Sequence, residues 1–504
     1  MEQFKNRFGW TSFYMEFADK LLKYKNNRSR LLELVKGVYD ELGMRYPFLE
    51  KDGKPVEDIC PFTIFGCFNK GITNENRIAL IKSFSSSLNV NAEVPTEFDG
   101  IPVLNNMRAW FFRGKDKRKE DDISNLWDLF EAGINYGDNP SEITKAGFIS
   151  CYDKVRKQSG IKWNLTMGLY WIRPYSYLNL DERNRSYLTQ DGSPYRASIT
   201  GVSNLKQLPS AKTYLELISV CQAIFARDNN PHHSFPELSH AAWITTSSGN
   251  QPKTGERTFG WIFQGNPKYY DVTGAVKELD VITWSVKQYQ KQIKKGDRAY
   301  IWLSGPEGGI IASGVILCDP EIRENDEPDP YDLSGNINTK ETPVVDIKLK
   351  DKLTNTAISR EDFLADERLK SASIITFPNA TNYRLTSEQA DIIDSMINGT
   401  YKRIAPKISD KTSAQSRRYW IYAPGQGSSK WEEFYSQGIM GIEWDKMGDL
   451  KQYPSRAAMK AIMKELYGAE YSYMNSALAT WQFANEIQPG DIVYAKKGLY
   501  KVIG

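Results

Sequence analysis

Apolar residues recur at helical spacing through the first part of the chain. Phe13, Phe17 and Leu21 form one row, and residues 31–42 carry a second. Side chains three or four positions apart share one face of a helix, so both rows predict amphipathic helices. The same spacing predicts helices over residues 74–84, 123–132 and 211–227. We therefore expect a mainly helical domain over residues 1–228.

The spacing changes to short strand-like runs in the middle of the chain. Three of these runs are residues 261–263, 299–303 and 310–316. A helical stretch lies between the first two, and a glycine-rich turn joins the last two. A further strand over residues 344–349 and a helix over residues 360–370 follow. Short strands joined by tight turns predict a small, curled β-barrel, which we place at residues 256–400.

Two polar segments are predicted linkers. Residues 229–255 are irregular and contain all three histidines, and residues 401–417 are basic. Residues 418–504 then begin another unit led by aromatic residues. Its segment Ile487–Tyr494, IQPGDIVY, echoes IKKGDRAY at Ile293–Tyr300. The echo predicts a second barrel of the same type, incomplete at the C-terminus of this chain.

Composition narrows the class of protein. The 65 basic and 62 acidic residues nearly cancel, so a nucleic-acid site would be a local patch. The five cysteines lie far apart without a C-x-x-C pair, which argues against a disulfide framework and structural zinc. No apolar run approaches the roughly 20 residues that span a bilayer, and no signal-peptide core begins the chain. We expect a cytoplasmic protein without a membrane partner.

Trp284 stands apart from the other aromatic residues of the predicted barrel. It follows a turn-like segment at residues 280–283 and precedes Ser285 and a stretch predicted to be a basic helix. That stretch supplies four cations: Lys287, Lys291, Lys294 and Lys295. An aromatic ring beside cations suits a nucleic-acid base and its phosphates. For most of the other aromatic residues, packing in the core is the ordinary role.

Four phrases in this region resemble a known family: WIFQGNP, ITWSVKQY, KKGDRAYIWLSG and IIASGVI. Residues 257–397 resemble the EVE domain, a relative of the YTH and PUA domains. The resemblance implies a PUA-like barrel whose aromatic pocket holds a chemically modified base. The base-binding residues so predicted are Trp284, Ser285, Trp302, Phe377, Asn379, Asn382 and Tyr383, with phosphates bound by Lys287, Lys291, Lys294 and Lys295. The alternative for Asn379 and Asn382 is that they only cap turns.

A second resemblance covers much of residues 8–190. The phrases DICPFTIFGCFNKGIT, FDGIPVLNN and TMGLYWIRPYSYLNLDERNR are similar to N-terminal regions of McrB-like proteins, the nucleotide-hydrolysing subunits of modification-dependent (type IV) restriction systems. RYWIYAPG and QFANEIQPGDIVYAKKG resemble an EVE-like segment of the same proteins. The resemblance implies antiviral defence, binding of modified DNA by base flipping, and a McrC-like nuclease subunit as a partner.

The same resemblance places an AAA+ module, which would use GTP or ATP with Mg, beyond this chain. No phosphate-binding loop of the form G-x-x-x-x-G-K-[ST] occurs in the sequence. We therefore expect no cofactor and no enzymatic activity for this chain alone, and an oligomer only where the AAA+ module is present. The fold class expected is α+β: a helical N-terminal domain, a PUA-like EVE barrel and a second, truncated EVE-like barrel.

The residues leave two other functions open. The modules could form a protein-interaction scaffold of a defence complex, with the N-terminal helices as the contact surface. Asp329, Asp346 and Lys348 have a spacing that a metal-dependent nuclease could use.

Two other segments of the N-terminal region combine charge with aromatic residues. Residues 162–188 are aromatic-rich and include Arg183 and Arg185, which suits base stacking as well as ordinary packing, and we favour packing. The charged run at residues 113–122 mixes both signs and is predicted to be a solvated loop.

Overall fold

The computed structural model describes residues 7–227, 230–248, 259–305, 308–323, 329–334, 342–353, 357–376, 378, 380–401, 418–497 and 501–503. They belong to two units, Met1–Ala405 and Pro406–Gly504. The first unit contains a helical region followed by a β-barrel with its own helices.

The helical region confirms the predicted helices of its first part. Its helices are α1 (Trp10–Leu22), α2 (Arg28–Glu41), α3 (Pro61–Phe68), α4 (Asn74–Leu88), α5 (Asp122–Asp138), α6 (Glu142–Val155), α7 (Asn164–Ile172), α8 (Glu182–Thr189), α9 (Arg196–Val202), α10 (Ala211–Phe225) and α11 (Phe235–Ser248). The rows that predicted α1 and α2 are their buried faces: Phe13, Phe17, Leu21, Leu31 and Val35 are fully buried. Burial of one apolar face on each helix therefore stabilises α1 and α2.

Three helices correct the sequence interpretation. Helix α3 lies in the segment DICPFTIFGCFNKGIT and α7 in the aromatic-rich residues 162–188, and neither segment was predicted to be helical. Every residue of α3 and nearly every residue of α7 is buried, so neither helix shows the one-sided spacing that reveals an amphipathic helix. Helix α11 lies inside the predicted linker at residues 229–255 and packs against α8.

The runs predicted at residues 261–263, 299–303, 310–316 and 344–349 all lie in strands of the barrel. The strands are β1 (Gly260–Gly265), β2 (Val281–Ser285), β3 (Arg298–Leu303), β4 (Gly309–Ile316), β5 (Val344–Lys352), β6 (Ile358–Ser359) and β7 (Asn382–Leu385), and the helices are α12 (Val272–Glu278), α13 (Arg360–Ala365), α14 (Ser373–Thr376) and α15 (Ser387–Ile397). The sheet order is β2-β5-β4-β3-β1-β7, with β6 on β4. Strands β1 and β3 are parallel, and the other pairs are antiparallel. Irregular pairing within β3–β4 and β4–β5 bends the sheet.

Two predictions around Trp284 are wrong. The turn-like segment at residues 280–283 belongs largely to β2, in which Trp284 pairs with Val345 of β5. The basic stretch after it is a loop over residues 286–297 and not a helix. Tyr289 in this loop has a φ of 60°, in the left-handed region, which an α-helix does not accommodate.

A buried aspartate joins the two parallel strands of the barrel. Asp297, immediately before β3, is 4% exposed. Its carboxylate accepts hydrogen bonds from the Trp261 indole at 2.7 Å, from the Phe259 amide at 3.1 Å and from the Lys294 amide at 3.0 Å. The carboxylate thus ties the start of β1 to the loop that precedes β3.

The second unit repeats this arrangement atom for atom. Strand β8 (Tyr419–Tyr422) runs parallel to β9 (Ile492–Lys497), and β10 (Lys501–Val502) pairs antiparallel with β9. Asp491 accepts from the Trp420 indole at 2.7 Å, from the Arg418 amide at 3.3 Å and from the Gln488 amide at 3.0 Å. The similarity between the two sequence segments therefore corresponds to a shared structural element, an aspartate that joins two parallel strands. In the described part of this unit the sheet has three strands. The structure therefore confirms that the aspartate element is repeated, and it does not show a whole second barrel.

Helices complete the second unit. They are α16 (Trp431–Gln437), α17 (Arg456–Tyr467) and α18 (Met474–Trp481). Met459 and Met463 of α17 pack with Met447, Tyr473 and Ala477 in a separate small core.

The helical region covers one edge of the barrel sheet. The Gly71 carbonyl accepts hydrogen bonds from the amides of Asp280 at 2.8 Å and Val281 at 3.1 Å, at the start of β2. Arg45 bonds the Asp271 carboxylate at 2.5 Å. One continuous hydrophobic core runs from α1 into the barrel interior as far as Leu349. Because these contacts hold the start of the edge strand and the core is shared, the helical region and the barrel form one compact unit.

No helix within the described residues has both the length and the apolar character needed to cross a membrane.

We expect Asp297→Ala to destabilise the first unit by about 3 kcal/mol, because it leaves the buried Trp261 indole without an acceptor. Asp297→Asn should cost less, since one oxygen remains. Urea unfolding of the full chain measures the loss. Glu361→Ala, at an exposed position of α13, serves as the control and should shift stability by no more than about 0.5 kcal/mol. An Asp297→Ala chain as stable as the control would contradict the anchoring role.

Candidate nucleic-acid interface

Polar side chains converge where β1, β2 and β3 end and β7 begins. We call this set the barrel rim: Gln264, Ser285, Gln288, Ser304, Thr381, Asn382 and Tyr383. The Gln264 amide lies 2.7 Å from the Ser304 hydroxyl and 2.7 Å from the Tyr383 hydroxyl. The Thr381 hydroxyl donates to the Gln288 side chain at 2.8 Å. Except for Asn382 and Tyr383, these residues are partly exposed, so their polar groups are accessible to a ligand.

Asn382 connects the two edge strands of the sheet. Its amide nitrogen donates to the Ser285 carbonyl at 3.2 Å, and its oxygen accepts from the Lys287 amide at 3.0 Å. The side chain is fully buried. These bonds bring the end of β2 to the start of β7, so the structure uses the predicted base-binding amide in closing the barrel.

Trp284 lies in the barrel core and is 8% exposed. Tyr270 packs edge-on against its ring at 5.6 Å between centroids. A Cβ at Gly265 would lie 3.0 Å from the indole, so the missing side chain makes room for the ring. Most of the ring is therefore covered, and truncation to Ala would open a cavity as well as remove a stacking surface.

Among the described residues, the other predicted base-binding residues do not gather around Trp284. Ser285 is its neighbour on β2, and consecutive strand residues point to opposite faces. Trp302 and Tyr383 are buried in a second core that α13, α14 and α15 help to form. Trp302 packs edge-on against Phe363 of α13 at 5.1 Å. Tyr383 reaches the rim with its hydroxyl alone.

Phe377 and Asn379 lie outside the described residues, so their predicted roles stay predictions. The rim residues Gln264, Gln288, Ser304 and Thr381 were missed from the sequence. The sequence feature that could have identified them is their position: each lies within a few residues of a strand end, where the loops of a barrel meet. Polar residues are common at such positions, so this feature is weak.

The four predicted phosphate-binding lysines are all exposed, and they lie on the loop after β2. The Lys294 ammonium pairs with Asp319 at 2.7 Å, and the Lys295 amide bonds the same carboxylate. Lys287 and Lys291 lie nearer to the rim along the chain. Their predicted contact with phosphates remains a prediction.

The nuclease alternative would need Asp329, Asp346 and Lys348 to converge. Asp346 instead pairs with Arg323 at 2.7 Å, and Lys348 pairs with Asp280 at 2.7 Å. Asp329 is engaged separately, with its carboxylate accepting from the Tyr331 amide at 2.9 Å. Among the described residues, no group of three or more His, Cys, Asp and Glu side chains could hold a metal ion.

Comparison with known families finds matches for three segments of the chain. Residues 10–245 match a domain of unknown function (DUF8425), and residues 420–504 match another (DUF8426). Residues 260–396 match the EVE domain. The barrel is an EVE domain. EVE domains are PUA-like and bind modified bases in RNA or DNA. The two domains of unknown function do not support the McrB-like resemblance specifically.

No curated protein matches this sequence. Solved structures similar to the chain include a protein from Rhodopseudomonas palustris, at 20% identity over 29% of this chain and 97% of that one, with a TM-score of 0.22. A hypothetical protein from Leishmania major shares 13% identity over 28% of this chain and 96% of its own, with a TM-score of 0.22. A protein from Pseudomonas putida shares 16% identity over 27% and 98%, with a TM-score of 0.22.

The EVE domain contains a carboxyl whose burial makes stability depend on pH. Burial raises the pKa of Asp329 to about 6. A carboxyl whose pKa is higher in the folded than in the unfolded chain contributes stability below about pH 4, and this contribution is lost as the pH rises through 6.

Asp329→Asn should therefore stabilise the first unit at pH 7.5 by about 2 kcal/mol and leave it nearly unchanged at pH 4. Urea unfolding at the two pH values measures the difference. The exposed Asp391→Asn variant is the control. A gain of equal size at both pH values would show that ionisation of Asp329 is not the cause.

Proposed function

We propose that this chain binds DNA carrying a modified base, and that the rim of the EVE domain recognises that base. The observation that carries the proposal is the convergence of the Gln264, Gln288, Ser304 and Thr381 side chains at the strand ends of an EVE barrel. Amide and hydroxyl groups can both donate and accept hydrogen bonds, which suits the edge of a base.

The mechanism proposed is extrusion of the base from the stack. A base inside a duplex does not expose the edge that the rim would bind, so it must leave the helix at a cost of a few kcal/mol. Hydrogen bonds from the rim and from Asn379, stacking on Phe377 or Trp284, and phosphate contacts from Lys287 and Lys291 would offset that cost. Ring stacking contributes about 1–3 kcal/mol per base.

We also propose that the chain serves a modification-dependent restriction or defence system. The support is the resemblance of residues 8–190 to McrB-like proteins. In that setting a McrC-like nuclease subunit and an AAA+ module would supply cleavage and nucleotide hydrolysis, and this chain would supply recognition. A scaffold that binds only proteins is the alternative, and it predicts no affinity for nucleic acid.

The proposal is tested by the affinity of the full chain for matched oligonucleotides. Duplexes carrying one methylated or hydroxymethylated base are compared with the unmodified sequence by fluorescence anisotropy, with an RNA of the same sequence alongside. We expect at least a roughly tenfold preference for one modified duplex, the size of effect that a good base contact gives. Equal affinity for every modified and unmodified duplex would contradict the proposal.

Two variants locate the site. Gln288→Ala and Asn379→Ala should each reduce the preference for the modified base about tenfold, because Gln288 belongs to the rim and Asn379 is a base-binding residue predicted from the sequence, and each variant removes a hydrogen-bonding group. Gln292→Ala is the matched control: Gln292 lies on the same loop as Gln288 and is exposed, and its side-chain oxygen accepts a hydrogen bond from Arg384 at 3.2 Å. A preference reduced by Gln292→Ala and not by Gln288→Ala would move the site away from the rim.

A further inference from the structure

A cleft in the helical region has the composition of a nucleic-acid groove. It encloses about 550 Å³ between the segment that follows α4 and the N-terminal ends of α7 and α8. Ile322 of the EVE domain closes one side. We call it the helical cleft. All of its lining residues except Ile322 belong to DUF8425, and none of them belongs to the barrel rim.

The helical cleft concentrates positive charge in a chain that is nearly neutral. Five basic and two acidic side chains line it. The basic ones are Arg108, Arg113, Lys162, Arg183 and Arg185. Burial, and then the neighbouring Arg323, lower the pKa of Arg108, while the carboxylates of Glu321 and Asp346 act in the opposite direction. An anion in the cleft would be attracted to this group.

An aromatic ring lies among these cations. The Arg185 guanidinium stacks over the Trp163 ring at 4.0 Å from its centroid. Trp163 is only partly buried, at the start of α7. A guanidinium stacked on an indole is a flat, cationic surface, and such surfaces accept nucleobases irrespective of sequence.

The helical cleft continues toward the EVE domain. A second cavity of about 610 Å³ shares Val103, Asp181 and Arg183 with it and reaches Lys295 and Lys348 at the barrel. This cavity adjoins the residues just before β3, whereas the rim lies beyond the end of β3. Since β3 has six residues, the two ends are about 20 Å apart at roughly 3.3 Å per residue.

We propose that the helical cleft binds an unpaired stretch of nucleic acid, with phosphates on Arg108, Lys162 and Arg183 and a base on the Trp163–Arg185 pair. The domain of unknown function is then a second nucleic-acid-binding domain that acts without regard to sequence or modification. This inference rests on the cleft alone and does not require the rim to recognise a modified base.

The test uses the full chain and fluorescein-labelled, unmodified single-stranded DNA. Arg108→Glu/Arg183→Glu should lower the affinity at least roughly tenfold at low salt. The slope of log K against log salt should become shallower by about 0.7 for each lost phosphate contact. Trp163→Ala should weaken binding with the slope unchanged, and Trp163→Phe should restore part of it. Lys36→Glu, an exposed charge reversal on α2 outside both cavities, is the control and should change the affinity less than the double variant.

Several outcomes would overturn the inference. Unchanged affinity and slope in a double variant whose circular dichroism matches the parent would exclude the helical cleft. An effect confined to duplex DNA would exclude the unpaired strand as its ligand. The proposed base recognition fails separately, by loss of the preference between modified and unmodified duplexes. A double variant that binds single-stranded DNA more weakly but keeps the ratio of affinities for the modified and unmodified duplexes would support the cleft and leave the rim's role intact.

Discussion

The EVE domain depends on one buried carboxylate. Asp297 receives the indole of Trp261 and two backbone amides, and it stands where the parallel strands β1 and β3 both begin. Parallel strands cannot be joined by a tight turn, so their relative position has to be fixed by other contacts. The carboxylate supplies such a contact, and the recurrence of the same three bonds at Asp491 shows that the solution is used twice in this chain.

The position of the rim follows from that anchor and from Asn382. Asp297 sets the register of β1 against β3, which places Gln264 and Ser304 side by side at the far ends of these strands. Asn382 then draws the end of β2 to the start of β7. The helical region holds the opposite end of β2 through Gly71. The barrel rim and the helical cleft therefore lie in the same compact unit, Met1–Ala405.

The sequence predicted the elements that show a helical period or a short apolar run bounded by turns. Helices α1 and α2, strands β3 and β4, and the repeat of Asp297 at Asp491 could all be inferred from spacing or from the GDRAY and GDIVY phrases. Helices α3 and α7 could not, because their residues are buried on every side and show no period. The location of Trp284 in the core also could not be predicted. The local sequence, a tryptophan followed by lysines, is the same whether the ring is buried or exposed. Burial of the ring depends on tertiary contacts, here with Tyr270 and Gly265.

Photocrosslinking tests most directly whether the EVE domain holds the modified base. A duplex with one modified base is prepared with 4-thiothymidine next to that base, is bound to the full chain and irradiated, and the crosslinked peptides are identified by mass spectrometry. The account predicts that adducts adjacent to the modified base fall within residues 285–288 or 377–383 and that an unmodified duplex gives few of them. Adducts of equal yield with both duplexes, or adducts confined to residues 406–504, would contradict it.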